Sequence, residues 1–220
     1  MNYTDADGNF TGFDTELATA VCAKLGVEPE FVEINWDTKV VELDAKSIDC
    51  IWNGMTATDE LKNQINFSSA YMNNSQVAVI RKADAAKYKD LASMSGAKVV
   101  AEAGSAGEIA VKADAGLSKS YLPVKDQGTS LMEVKSKTAD IAIIDAVTAA
   151  GSIGEGTDYD DLMIVDVISS ADSEVYAVGI RKSDTELTAK INAAIKELYD
   201  DGTLAKLAEK YNLSGRVIAQ

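Results

Sequence analysis

The feature that most constrains this fold is an alternation of apolar strands and amphipathic helices that runs once along the chain and then starts again. "GFDTELATAVCAKLG" reads as a helix with Asp14 as N-cap, Leu17, Val21 and Leu25 on one face, and Gly26 at the stop. "PEFVEI" reads as a short strand, "WDTKVVELDAK" as a helix entered at Asp37, and "IDCIWN" as a buried strand. The second round gives "AKVVAEAG" as a strand and "SAGEIAVKADAG" as a helix opened by a capping box of Ser105 and Glu108. "SYLPV", "SLMEVKSK" and "ADIAIID" follow as strand, helix and strand. Such a βαβ rhythm predicts parallel-rich sheets with helices on both faces. "VELDAKSIDCIWN" and "MEVKSKTADIAII" match in Lys46 with Lys137, Ser47 with Thr138 and Asp49 with Asp140, which predicts a duplicated α/β unit.

Two apolar strands, "QVAVIRKAD" and "EVYAVGIRKSD", end alike in Arg81-Lys82 and Arg181-Lys182. The second leads into a helix with Leu187, Ile191, Ile195 and Leu198 on one face. The expected division is a first lobe of residues 1–73 plus 181–220 and a second of 74–180, with two hinge crossings and a cleft. Ligands of open α/β sheets sit beyond the carboxyl ends of the parallel strands. Here those ends are Asn53-Gly54, Gly104-Ser105 and Asp145, so the cleft should supply hydrogen bonds to a small solute.

Composition removes most other functions. Acidic residues outnumber basic ones by 35 to 21, and the net charge of -14 repels nucleic acid and anionic membranes. There is no histidine, which excludes Ser-His and Cys-His nucleophile pairs and nearly every zinc site built on imidazole. No catalytic residue, metal or cofactor is therefore expected. Cys22 and Cys50, two in number and far apart in sequence, are expected as buried thiols. The polar "NYTDADGN" directly after Met1 is not expected of a leader sequence, so the expectation is either a cytoplasmic chain or the mature part of an exported one.

Each polar candidate has a structural reading beside the functional one. Thr58, followed by Asp59 and Glu60, reads first as an N-cap with acids favoured by the helix dipole. Ser105 reads as a cap and, with the N–H groups of "AGSAGE", as an anion site; both can hold together. Asp145 is either the cap of the next helix or the anchor of a ligand ammonium, and Trp36 is core or cleft wall.

"GNFTGFDTELATAVCAKLGV", "NGMTATDE", "INFSSAY", "AEAGSAGE", "ADIAIIDAVTA" and the C-terminal "VGIRKSDTELTAKINAAIKELYDDGTLAKLAEKY" resemble, in order and spacing, the extracytoplasmic solute-binding proteins of ABC importers, polar amino acid group. The resemblance covers nearly the whole chain. It implies a two-lobed type II periplasmic-binding-protein fold of the α/β class, closing on one amino acid or related amine-bearing ligand. It further implies docking on ABC permease subunits outside the cytoplasm, with no chemistry performed. By position, Trp36 corresponds to the apolar wall and Asn53, Gly54 and Thr56, with Met55 between them, to the contacts of the first lobe. Ser105 and Ala106 correspond to backbone donors of the second lobe, and Asp145 to the partner of the ligand α-ammonium.

Two departures stand out. Leu61 occupies the place where the family carries an arginine that forks onto the ligand carboxylate, and Lys62 is about 100° around the helix. The family's first strand, with its aromatic contact, has no counterpart here, so the chain is expected to start at an internal Met. That absence should leave a gap or an exposed edge in the first lobe. A monomer is expected, with a strand-exchanged dimer as the consequence of an open edge. The rival functions are the sensor module of a signalling protein and a dehydratase-like enzyme on the same scaffold.

Overall fold

The protein is described by a computed structural model, covering residues 1–4, 7–168 and 174–220. In chain order the first half contains β1 (Tyr3–Thr4), β2 (Phe10–Thr11), α1 (Phe13–Leu25), α2 (Lys39–Asp44), β3 (Cys50–Ile51), α3 (Asp59–Gln64), β4 (Asn66–Phe67), β5 (Met72–Asn74) and β6 (Gln76–Arg81). There follow β7 (Val99–Glu102), α4 (Ala106–Ala113), β8 (Tyr121–Val124), α5 (Gln127–Lys135), β9 (Ile141–Asp145), α6 (Ala146–Ser152) and β10 (Leu162–Val167). The chain closes with β11 (Glu174–Tyr176), β12 (Gly179–Ile180), α7 (Thr185–Asp200) and α8 (Thr203–Lys210).

Two compact units result. The first comprises Met1–Ile34, Thr38–Asn73 and Glu174–Gln220; the second comprises Asn35–Asp37 and residues 74–168. Residues 174–180, expected in the second lobe, fall in the first unit because β12 pairs antiparallel with β3 and β4, and β11 pairs with β5.

In the second unit one five-stranded sheet runs in the order β10-β6-β9-β7-β8. β7 is parallel to β8 and β9, as the βαβ rhythm demands, while β6 is antiparallel to β9 and β10. Its central strands β6, β9 and β7 read as nearly unbroken apolar runs because both faces are covered. Val77, Val79, Val100, Ala142 and Ile144 pack with Leu131 and Val134 of α5 on one side. The alternate residues Ala78, Ile80, Val99, Ile141 and Ile143 pack with Met94, Val111 and Leu117 on the other. Each such aliphatic side chain contributes about 1.5–3 kcal/mol on burial.

The first unit sets α1, α2, α3, α7 and α8 around a smaller sheet, β3-β12-β4. α1 buries Phe13, Leu17 and Val21 and packs on α7 and α8, where Ile191, Ile195 and Leu198 are buried. Its N-cap is Gly12, with no side-chain cap, and Asp14 is instead fully buried inside the first turn. The expected cap at Asp14 is therefore corrected. "PEFVEI" joins no sheet: one side of β3 has no partner strand among the described residues, and Phe31 (43% exposed) and Val32 (52%) face solvent. The helix expected from Asp37 begins as a single turn at Trp36–Thr38 and becomes α-helical at Lys39. Cys22 and Cys50 are free and half-buried rather than buried.

Candidate functional site

β9 ends at Asp145, the N-cap residue of α6, yet its side chain makes no cap hydrogen bond. The carboxylate instead collects three neutral amides. Asn74 Nδ2 and Gln76 Nε2 each donate to Oδ1 at 2.7 Å, and Gln127 Nε2 donates to Oδ2 at 2.5 Å. The Asp145 N–H returns to Gln127 Oε1 at 3.1 Å, which locks the side chains into one arrangement. The β6–β9 register places Gln76 directly opposite Asp145, and Gln127 is the first residue of α5. Asp145 is 7% exposed, and no lysine or arginine reaches it among the described residues. Both carboxylate oxygens thus accept from neutral side-chain amides, an arrangement that holds the group in place without neutralising its charge.

The start of α4 stands beside this cluster. A Cβ at Gly107 would meet Ile143 O at 2.8 Å and Gln76 Oε1 at 3.1 Å, so the glycine lets the helix start press against the end of β9. Ser105 Oγ accepts the Glu108 N–H at 3.1 Å, and Glu108 Oε2 accepts the Gly104 N–H at 2.9 Å. The capping box therefore closes one residue earlier than expected, on Gly104. Burial opposes ionisation of Glu108, but the Lys112 ammonium, the Gly104 N–H and the Tyr121 hydroxyl hold its carboxyl below the usual range. The first-turn N–H groups of Ala106 and Gly107 have no intrahelical acceptor, and with the helix dipole they favour an anion.

In the first unit, the loop after β3 carries Asn53 exposed, Gly54 buried at φ +56, Met55 buried and Thr56 half-buried. Met55 O accepts the Ala177 N–H, Thr56 bridges Tyr176 and the Ala57 N–H reaches Val175 O. Met55 packs its sulfur against Gly179, where a Cβ would come within 2.8 Å, so its side chain belongs to the core rather than to a solute surface. Thr58 caps α3 by accepting the Leu61 N–H at 3.3 Å, as expected. Leu61 is half-buried, and the neighbouring Lys62 is paired with Asp59 at 2.8 Å. Trp36 is half-buried and groups with the second unit.

The structure thus brings Ser105, Ala106 and Asp145 together in one unit, and Asn53, Gly54, Thr56 and Leu61 in the other. The sequence reading missed Asn74, Gln76 and Gln127. The available signal was a polar residue opening an apolar strand in "NSQVAVI", but register alone turns it toward Asp145.

The comparisons fit this geometry. The chain belongs to the bacterial extracellular solute-binding proteins, family 3, whose model matches residues 1–214. It is 33% identical over 215 residues to the arginine-binding extracellular protein ArtP of Bacillus subtilis, covering 96% of this chain and 81% of that one. A substrate-binding protein of an ABC uptake transporter from Streptococcus pneumoniae, solved with bound histidine, superposes with a TM-score of 0.85 at 33% identity, over 96% of this chain and 87% of that one. The ancestral amino acid-binding protein AncCDT-1, a precursor of cyclohexadienyl dehydratase, superposes with a TM-score of 0.84 at 32% identity, over 96% and 89%. The fold is that of a type II periplasmic binding protein, and the chain is a solute receptor.

Proposed function

We propose that this receptor captures a free amino acid, arginine or histidine in the first instance, outside the cytoplasm and delivers it to the membrane subunits of an ABC importer without altering it. The observation that carries this reading is the pairing, within the second unit, of Asp145 in its cage of three neutral amides with the open start of α4. One offers a charge partner for an α-ammonium; the other offers N–H groups and a dipole for an α-carboxylate. The loop Asn53 to Thr56 of the first unit offers hydrogen-bonding groups to a solute, with Leu61 as an apolar neighbour, and the Trp36 ring belongs to the second unit. With Leu61 in place of a guanidinium, the carboxylate rests on Ser105, Ala106 and the helix start. The binding relatives support capture over turnover, and the chain acts as a monomer.

Calorimetry with L-arginine, L-histidine, L-lysine and L-cystine tests the ligand class. Asp145→Asn leaves a ligand ammonium without its charge partner and should weaken binding by roughly 2–5 kcal/mol, about thirty- to several-thousand-fold. A variant binding within a factor of about three of the parent overturns the assignment of Asp145. A dehydratase would instead convert its substrate with loss of water, and a turnover assay detects it.

A further inference from the structure

Asp14 is a buried acid for which solute capture has no direct use. It lies in the first turn of α1 between Phe13 and Leu17 of the core and is 0% exposed. Its Oδ2 accepts the Gly54 N–H at 2.6 Å and the Tyr71 hydroxyl at 3.0 Å. Oδ1 is buried with no hydrogen-bond partner, and so is the indole N–H of Trp52, two residues before Gly54. That indole lies close enough to favour the ionised carboxylate without closing a hydrogen bond. A buried polar group left unsatisfied in a native core calls for a reason beyond packing.

The reason lies at Gly54. Its φ of +56 is open to glycine, and a Cβ there would meet the Tyr176 ring at 3.2 Å, so the backbone passes this point pressed against the core. A carboxylate–amide bond is charge-assisted and stronger than a neutral one. It fixes the peptide between Asn53 and Gly54 with its N–H turned inward, leaving Asn53 exposed and Thr56 half-buried. We propose that Asp14 is a positioning residue for the solute contacts at Asn53 to Thr56, holding the loop in its binding conformation from beneath through the Gly54 amide. The proposal rests on the solute-receptor reading of that loop. Tyr71 acts through Asp14, orienting the carboxylate by donating to the same oxygen.

Burial pushes the Asp14 carboxyl up to about 6, opposed by the amino group of Met1, the Gly54 N–H, the Tyr71 hydroxyl and the Trp52 indole. Those are the groups that face it, and burial and the Asp14 charge push Tyr71 itself well above the usual phenol range. The bond from Gly54 is therefore switchable in an accessible pH range, which gives a readout that mere packing would not move.

The experiment compares the full chain with Asp14→Asn and Tyr71→Phe, following the Gly54 amide by NMR through a pH titration and L-arginine affinity by calorimetry at neutral pH. Positioning requires a Gly54 amide shift with a midpoint near about 6 in the parent, absent in Asp14→Asn and moved upward in Tyr71→Phe. It also requires affinity about tenfold weaker in Asp14→Asn, with cooperative unfolding retained. A parent amide that does not titrate, or an Asp14→Asn chain that binds as tightly as the parent, overturns it. Where Asp14→Asn does not fold, Tyr71→Phe decides, because it keeps the carboxylate and removes one donor. Failure of the parent to bind L-arginine, L-histidine, L-lysine or L-cystine overturns the receptor reading of the loop and the positioning role with it, whereas binding by the parent together with a silent Gly54 amide overturns the positioning role alone.

Discussion

The two units share a corner and differ in the sheet the corner is attached to. In the second, Arg81 donates through Nε to Asp84 at 2.6 Å, through Nη1 to Val134 O and Ala139 O at 2.7 Å each, and through Nη2 to Asp140 at 3.3 Å. In the first, Arg181 donates through Nε to Asp184 at 2.7 Å, through Nη1 to Ile48 O at 2.5 Å and Leu43 O at 3.4 Å, and through Nη2 to Asp49 at 2.8 Å. Each guanidinium pins the turn between a helix end and the next strand, and each turn carries a lysine in the left-handed region, Lys46 at φ 62 and Lys137 at φ 69. The matched residues Lys46/Lys137 and Asp49/Asp140 are thus the same structural device used twice. Yet one corner feeds five strands and the other feeds three strands of two residues. A helix-turn-strand corner is written in its own dozen residues; a sheet needs partners those residues do not contain.

The largest expected effect follows from that contrast. Among the described residues, 28–34 join no ladder and β3 has a partner on one side alone, so their amides should exchange with opening free energies near zero and low, respectively. β7 and β9, paired on both sides and buried, should approach the global value of roughly 5–15 kcal/mol. Hydrogen exchange by mass spectrometry measures both. Equal protection in the two regions, in a monomeric sample, would mean that another chain segment completes the smaller sheet.

The arginine corners come next. Arg81→Ala strands Asp84 and Asp140, each 28% exposed, and should cost roughly 3–5 kcal/mol. Arg181→Ala likewise strands Asp184, 30% exposed, but leaves Asp49, 82% exposed, to return to water, so the loss should be smaller, about 2–3 kcal/mol. Lysine should rescue neither, because one ammonium cannot reproduce the fork. Urea unfolding read by exchange in each unit gives the order, and a larger loss at Arg181 would break the argument from exposure.

Much of this was legible beforehand, and the failures have physical causes. The helices, the parallel core strands and the duplicated corner follow from periodicity and caps, which are local. Asp145 was legible as a polar stop after "IAII", but that its carboxylate makes no cap bond follows from Asn74, Gln76 and Gln127, which register and packing bring from two other elements. Asp14 was misread as a cap because Asp before an apolar helix is the commonest such signal, while its partner Gly54 is forty residues away in sequence. "PEFVEI" has a strand's composition, but composition cannot provide the neighbour.

The buried carboxylates make the third comparison. Asp145 has three amide donors, whereas Asp14 has one amide and one phenol and is raised by burial from 3.8 to about 6. The folded chain holds the Asp14 proton more tightly than the unfolded chain, so the group contributes stability that is present below about pH 4 and lost as pH rises through about 6. The difference amounts to roughly 3 kcal/mol. Asp14→Asn should remove this dependence, so that the variant gains on the parent by about that amount between acidic and neutral pH. Thermal unfolding at several pH values checks it, and a constant offset between the two proteins would place the carboxyl at its ordinary value.

The smallest effect lies in the left-handed lysines. Both corners end their helices in the same way: Lys46 N–H bonds Leu43 O at 3.2 Å and Ser47 N–H bonds Glu42 O at 3.1 Å, while Lys137 N–H bonds Val134 O at 3.2 Å and Thr138 N–H bonds Glu133 O at 3.0 Å. This six-to-one and five-to-two pattern is ordinarily closed by glycine, because a Cβ in the left-handed region crowds the following carbonyl. Lys46→Gly and Lys137→Gly relieve that crowding but loosen the unfolded chain, so each should stabilise by up to about 1 kcal/mol. Equal gains would show that the corner is a closed local unit, indifferent to the sheet beyond it. A gain at Lys137 with none at Lys46 would show instead that the smaller sheet lets its corner relax without glycine, and that the likeness between the two halves ends at the turn.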